Sequence, residues 1–96
     1  MSRPGGTTAP KPIDDAAKQV ALSVKSEIES KAGKTFSTFE PKEYSTQVVA
    51  GINYFFKIDV GNGEFVHARV YKDLSQNVSL HSIKTSLSAT DSLAYF

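Results

Sequence analysis

Residues 44–59 constrain the fold more than any other stretch of the chain. They are rich in β-branched and aromatic side chains, and Ile52, Tyr54, Phe56 and Ile58 alternate with Asn53, Phe55, Lys57 and Asp59. Period-two alternation is the mark of a strand, whose successive side chains point to opposite faces. As one element the run would be 16 residues long. Strands usually run roughly 3–10 residues. A chain of 96 residues, the length of one domain, can hardly use such a strand unbroken. The excess length calls for a reversal, and Gly51 is the best turn residue inside the run. A reversal there puts Gln47, Val48, Val49, Ala50 and Gly51 at a hairpin tip. Local propensity alone allows the other reading, a continuous strand with Gly51 as a bulge. The hairpin leaves two adjacent valines exposed, which is unfavourable unless something covers them, so the tip is a candidate contact surface.

The flanking sequence supplies the rest of a two-layer fold. Residues 13–32 read as one amphipathic helix roughly 30 Å long. Asp14 and Asp15 suit its N-terminal cap and dipole, and Ala16, Ala17, Val20, Val24 and Ile28 form its apolar stripe. Gly33 is the expected stop. Residues 35–39 read as a short strand, interrupted by Pro41 at an edge or bulge. Gly61-Asn62-Gly63 predicts a tight turn. Residues 65–72 predict the return strand, with Val66, Ala68 and Val70 on one face. Residues 73–77 predict a second turn, and 79–87 a weaker strand. One helix followed by antiparallel strands predicts an α+β domain spanning 1–96. Residues 1–12 hold three of the four prolines and two of the six glycines. They predict an extended or mobile trunk, either a frayed end or an arm that orders on binding.

Several chemistries find no support. The formal net charge is +1 with mixed signs, and no basic stripe implies nucleic acid. No apolar segment is long enough to span a membrane. The chain has no cysteine, so thiolate chemistry is excluded. A secreted domain of this size would usually carry disulfides, and the N-terminus lacks a signal-peptide core, so a cytoplasmic protein is expected. The acidic residues are scattered, and Gly61-Asn62-Gly63-Glu64 is too short for a phosphate loop. No metal or cofactor is expected. No serine lies in a nucleophile elbow. His67 alternates with the valines of its strand and is expected at a solvent-facing or rim position; neither it nor His81 lies in a recognisable catalytic pattern.

The tip residues carry a family resemblance. Gln47-Val48-Val49-Ala50-Gly51 followed by Asn53-Tyr54-Phe55 resembles the Gln-Val-Val-Ala-Gly motif of the cystatins, and most of all that of the stefins, the cytosolic, disulfide-free type. Pro4-Gly5-Gly6, the helix around Val24 to Lys31, Phe65-Val66-His67-Ala68-Arg69-Val70 and Asp91-Ser92-Leu93-Ala94-Tyr95-Phe96 are similar to the corresponding stefin segments. The resemblance covers nearly the whole chain. It implies a cystatin-like fold, one long helix wrapped by a curved antiparallel sheet of four to five strands. It also implies reversible, competitive inhibition of papain-like cysteine proteases of the cathepsin L, S, H and B type, with no enzymatic activity.

Carried over residue by residue, the resemblance implies a three-part wedge. Gly5 and Gly6 mark the trunk, Gln47, Val48, Val49, Ala50 and Gly51 the first tip, and Leu74 and Ser75 the second. Stefins usually have Leu-Pro at the second tip, where this chain has Leu74-Ser75. Loss of a proline raises the ordering cost of that loop. The monomer is the expected acting form. The strand-like character of 44–59 also implies a domain-swapped dimer, reached by opening the first hairpin. Two other readings stay open: a scaffold that keeps the fold without inhibiting proteases, and a small enzyme using His67 or His81.

Overall fold

The computed structural model describes residues 8–94 and residue 96. Asp14 begins its helical part. Its backbone is extended (φ −119°), and its Oδ1 accepts from the Ala17 N–H at 2.8 Å, as an N-cap does. Helix α1 spans Asp15–Ser23 and helix α2 spans Lys25–Ala32. The expected single helix is thus in two pieces, with Val24 at the joint (φ −113°, ψ 15°). Ser23 supplies the physical reason. Its Oγ donates to the Val20 carbonyl at 2.7 Å, the group the Val24 N–H would otherwise use. The Val24 N–H turns instead to Ala21 at 3.2 Å, and regular bonding resumes with Ile28 on Val24 at 2.9 Å. Gly33 ends α2 in the left-handed conformation.

The buried helical stripe is Ala17, Val20, Ala21, Val24 and Ile28. Ala16, expected in it, is exposed, and Ala21 takes its place. At about 100° per residue, Ala16 sits a quarter-turn away from the centre of that stripe. Full burial of Ile28 alone contributes roughly 1.5–3 kcal/mol.

Among the described residues five antiparallel strands lie in sequence order: β1 Lys11–Pro12, β2 Glu40–Val49, β3 Gly51–Asp59, β4 Phe65–Lys72 and β5 Val78–Leu87. The helices and the sheet form the expected α+β architecture. The 44–59 run is broken at Ala50, and its halves pair from Tyr44↔Phe56 down to Val49↔Gly51. The strand expected at 35–39 is absent. Phe36 is buried there, and its N–H bonds the Glu29 carboxylate at 2.9 Å in place of a ladder partner. Pro41 lies inside β2 at a register shift before Glu43, so its missing N–H falls at a bulge.

The helix-facing side of the sheet holds Phe56, Ile58, Val66, Ala68 and Val70, all fully buried. Tyr54 stacks on Phe56 at 5.6 Å, and Tyr44 lies 6.3 Å from Tyr54. The other side is covered too, by the segment that follows β5. Leu93 is buried, Phe96 meets Phe55 edge-on at 5.9 Å, and Lys57 Nζ donates to the Ala89 carbonyl at 2.5 Å. This layer corrects the expectation for His67, which is 3% exposed and not at a rim. Its register partners are Lys57 and Lys84, and its Nε2 has no hydrogen-bond partner among the described residues. Burial, and then the Lys57 charge, hold its pKa below the usual histidine value.

Candidate functional site

β3 and β4 pair from Ile52↔Lys72 to Asp59↔Phe65, which brings the β2–β3 tip and the β4–β5 turn to the same end of the sheet. Among the described residues four large apolar side chains are exposed, and three lie at this end: Val48 (73%), Val49 (42%) and Leu74 (77%). A folded chain rarely concentrates exposed apolar groups at one edge without a partner to cover them. A shallow groove of about 330 Å³ runs between the two tips, with Val48, Val49 and Ile52 on one wall and Leu74 and Gln76 on the other.

The first tip is tightly built. Gly51 has φ 109°, and a Cβ placed there would come 2.5 Å from the Lys72 carbonyl oxygen and 3.0 Å from the Tyr71 ring. Glycine is therefore required twice, by the backbone conformation and by the approach of β4. Ala50, the residue between the strands, is exposed, and its carbonyl accepts from the Tyr71 hydroxyl. Gln47 is half-buried and accepts from Asn53 Nδ2 at 2.8 Å, so it braces the base of the hairpin.

The second tip is organised by Asp73. Its Oδ1 accepts from the N–H groups of Ser75 and Asn77, each at 2.9 Å, and its Oδ2 from Asn77 Nδ2 at 3.2 Å. These bonds, the Asn77 backbone N–H first, hold the carboxyl below its ordinary pKa. Ser75 is exposed where the stefin pattern has proline. The Asp73 side chain ties that loop from within.

The trunk reaches the same end from the other side of β2. The Thr8 N–H donates to the Thr46 carbonyl at 2.8 Å, and Thr8 Oγ1 accepts from the Thr46 N–H at 3.0 Å. Thr46 is two residues from Val48, and β1 runs antiparallel to β2. Gly5 and Gly6 lie outside the described residues.

Among the described residues no catalytic set assembles around the histidines. His67 is covered by the segment after β5, and His81 is exposed with its Nδ1 3.0 Å from Ser82 Oγ. Among the described residues no group of His, Asp and Glu side chains could hold a metal ion. No helix among them is long and apolar enough to cross a membrane. Two residues escaped the sequence reading. Asp73 was legible in principle, since Asp before Ser and Asn is turn chemistry. Tyr71 gave no local signal, because its partner is reached only through strand pairing.

A cystatin-domain family model matches residues 5–90. The chain is 42% identical over 95 residues to Cystatin-A of Mus musculus, covering 97% of this chain and 98% of that protein. It is also 42% identical over 95 residues to Cystatin-B of Oplegnathus fasciatus, covering 96% and 95%. Identity to Cystatin-B of Bos taurus is 40% over 95 residues, covering 96% and 97%.

Proposed function

The chain belongs to the cystatin family as a stefin-type member, and we propose that it blocks papain-like cysteine proteases by entering the active-site cleft as a wedge. The family inhibits cysteine proteases and is not enzymatic. The single observation that carries the wedge reading is the gathering of Val48, Val49 and Leu74, all exposed, at one end of the sheet. A protease cleft is concave and largely apolar, and it desolvates such side chains on contact. Each fully buried valine contributes roughly 1.5–3 kcal/mol. Interfaces of this kind bury roughly 800 Å² per partner, which one sheet edge with two tips and a trunk can supply.

In this reading Gln47, Val48, Val49, Ala50 and Gly51 form the central contact, and Leu74 and Ser75 the second. Gly5 and Gly6, which lie outside the described residues, are the trunk's share of the contact, glycine being the residue type that lets a backbone approach a surface closely. The wedge blocks without reacting, because it presents no scissile carbonyl to the nucleophile. Proteases of the cathepsin L, S, H and B type are its targets, met in the cytoplasm. Residues 1–96 act as one domain and one copy.

Titrating papain at fixed concentration tests the inhibitor reading. Activity should fall linearly to zero near one equivalent, return on dilution, and be relieved by substrate. Undiminished activity at excess inhibitor, or steady cleavage of the chain, rejects it and leaves the scaffold reading. The same β2–β3 hairpin offers a second association state. Straightening at Ala50 would make β2 and β3 one continuous strand, and a second chain would then supply the pairing that each half loses. Size exclusion after prolonged heating below the unfolding midpoint should then show a dimer, and a purely monomeric profile refutes the exchange.

A further inference from the structure

The end of β4 touches both tips. Tyr71 lies opposite Asn53 in the ladder, yet its hydroxyl reaches along the sheet to donate to the Ala50 carbonyl. Ala50 is the residue that reverses the chain, between the paired Val49 and Gly51, so it stands outside the β2–β3 ladder. The Tyr71 ring also closes on Gly51, 3.0 Å from where a Cβ would be. Two residues later Asp73 ties the other tip through three bonds, to the Ser75 N–H, the Asn77 N–H and the Asn77 amide. Neither side chain is among the exposed apolar groups that would enter a cleft.

We propose that Tyr71 and Asp73 are positioning residues that set the shape of both tips before a protease arrives. The inference rests on the wedge reading. An untied tip samples several conformations, only a fraction of which fit the cleft, and the apparent affinity falls by that fraction. A preset tip avoids this loss. Binding that waits for a conformational change shows the cost in the association rate. Direct contact with the protease would instead show it mainly in dissociation. Asp73 also does here what proline would do at position 75, by side-chain bonds in place of a fixed φ.

Stopped-flow association with papain tests this on the full chain, with thermal unfolding of each variant alongside. Tyr71→Phe keeps the ring and removes only the hydroxyl. Tyr71→Phe and Asp73→Ala should each slow association about three- to tenfold, the factor one net hydrogen bond supplies, with dissociation nearly unchanged, melting lowered by only a few degrees and the chain still folded at the assay temperature. Asp73→Asn retains the Oδ1 acceptor and should restore most of the rate. Wild-type association rates in both variants overturn the proposal, as do losses confined to dissociation or losses accounted for by the fraction unfolded at the assay temperature. Failure of Asp73→Asn to rescue removes Asp73 from it. The parent reading fails separately: if Val48→Asp still inhibits papain fully, the wedge itself is wrong.

Discussion

Strand β3 is flanked by two turns built on opposite terms. At the far end, residues 61–63 are Gly-Asn-Gly, and all three have positive φ: 94°, 56° and 73°. Each residue type suits that backbone, the Val60 N–H closes on the Glu64 carbonyl at 3.1 Å, and Asp59 caps the Gly61 N–H at 2.8 Å. That turn is stable by local chemistry. At the near end the reversal at Ala50 uses two exposed valines and one glycine that no other residue could replace, and it leans on Tyr71 from a third strand. The difference teaches what each turn serves. One exists to fold the hairpin, and the other holds apolar groups in water at some cost to itself.

The largest expected contrast comes from placing alanine at one glycine in each turn. Gly63 has open space where a Cβ would go, so Gly63→Ala should cost about 1–2 kcal/mol, the left-handed penalty alone. Gly51→Ala must also push the Lys72 carbonyl away from 2.5 Å, and should cost about 3–5 kcal/mol with loss of papain inhibition. Urea unfolding of the two variants measures this, and equal costs would erase the contrast. Val48→Asp should weaken inhibition about a hundredfold or more while leaving the melting temperature within about 2 °C, since Val48 is 73% exposed. Asn62→Ala should do the reverse, lowering stability by roughly 1 kcal/mol and sparing inhibition. If the two variants behave alike, the division of labour is wrong. Removing residues 1–6 should weaken inhibition about tenfold without changing stability. Equal inhibition by the shortened and full chains, against several cathepsins, rejects the trunk.

The smallest effect should not distinguish the turns at all. His67 sits midway along β4 between Lys57 and Lys84, with Asp91 and Glu43 the acidic groups facing it. Its folded pKa is lowered, so below the ordinary value of 6.5 the unfolded chain binds the proton more readily. Stability should therefore fall as pH drops through 6.5 and level off below the folded pKa. The urea midpoint should decline between pH 7.5 and 5.5 in the wild type and less in His67→Gln. A midpoint equally pH-dependent in both would assign the effect elsewhere.

Much of this architecture was legible because its causes are local. The length of 44–59 demanded a reversal, and Gly51 was the residue that could provide it. The 61–63 turn, the Asp14 cap and the bulge at Pro41 follow from φ preferences and missing or spare hydrogen-bond donors. The errors share the opposite character. His67 was expected at a rim because alternation says which face a side chain takes, and not whether a later segment covers that face. Ala16 was placed in the stripe on spacing that Ala21 fits better once the sheet sets the stripe's centre. The break at Val24 depends on a rotamer of Ser23, and Phe36 plugs the core without belonging to a strand.

The sequence by itself determined the class of the fold, the position of both tips and the family to which the chain belongs. Those depend on periodicity, turn chemistry and a short motif, all carried by neighbours in the chain. Only the tertiary structure decided that the outer face of the sheet is buried, that Gly51 is pressed by β4, and that Tyr71 and Asp73 tie the tips. Each of those contacts except the Asp73 loop joins residues far apart in sequence, brought together by strand pairing or by the return of the segment after β5.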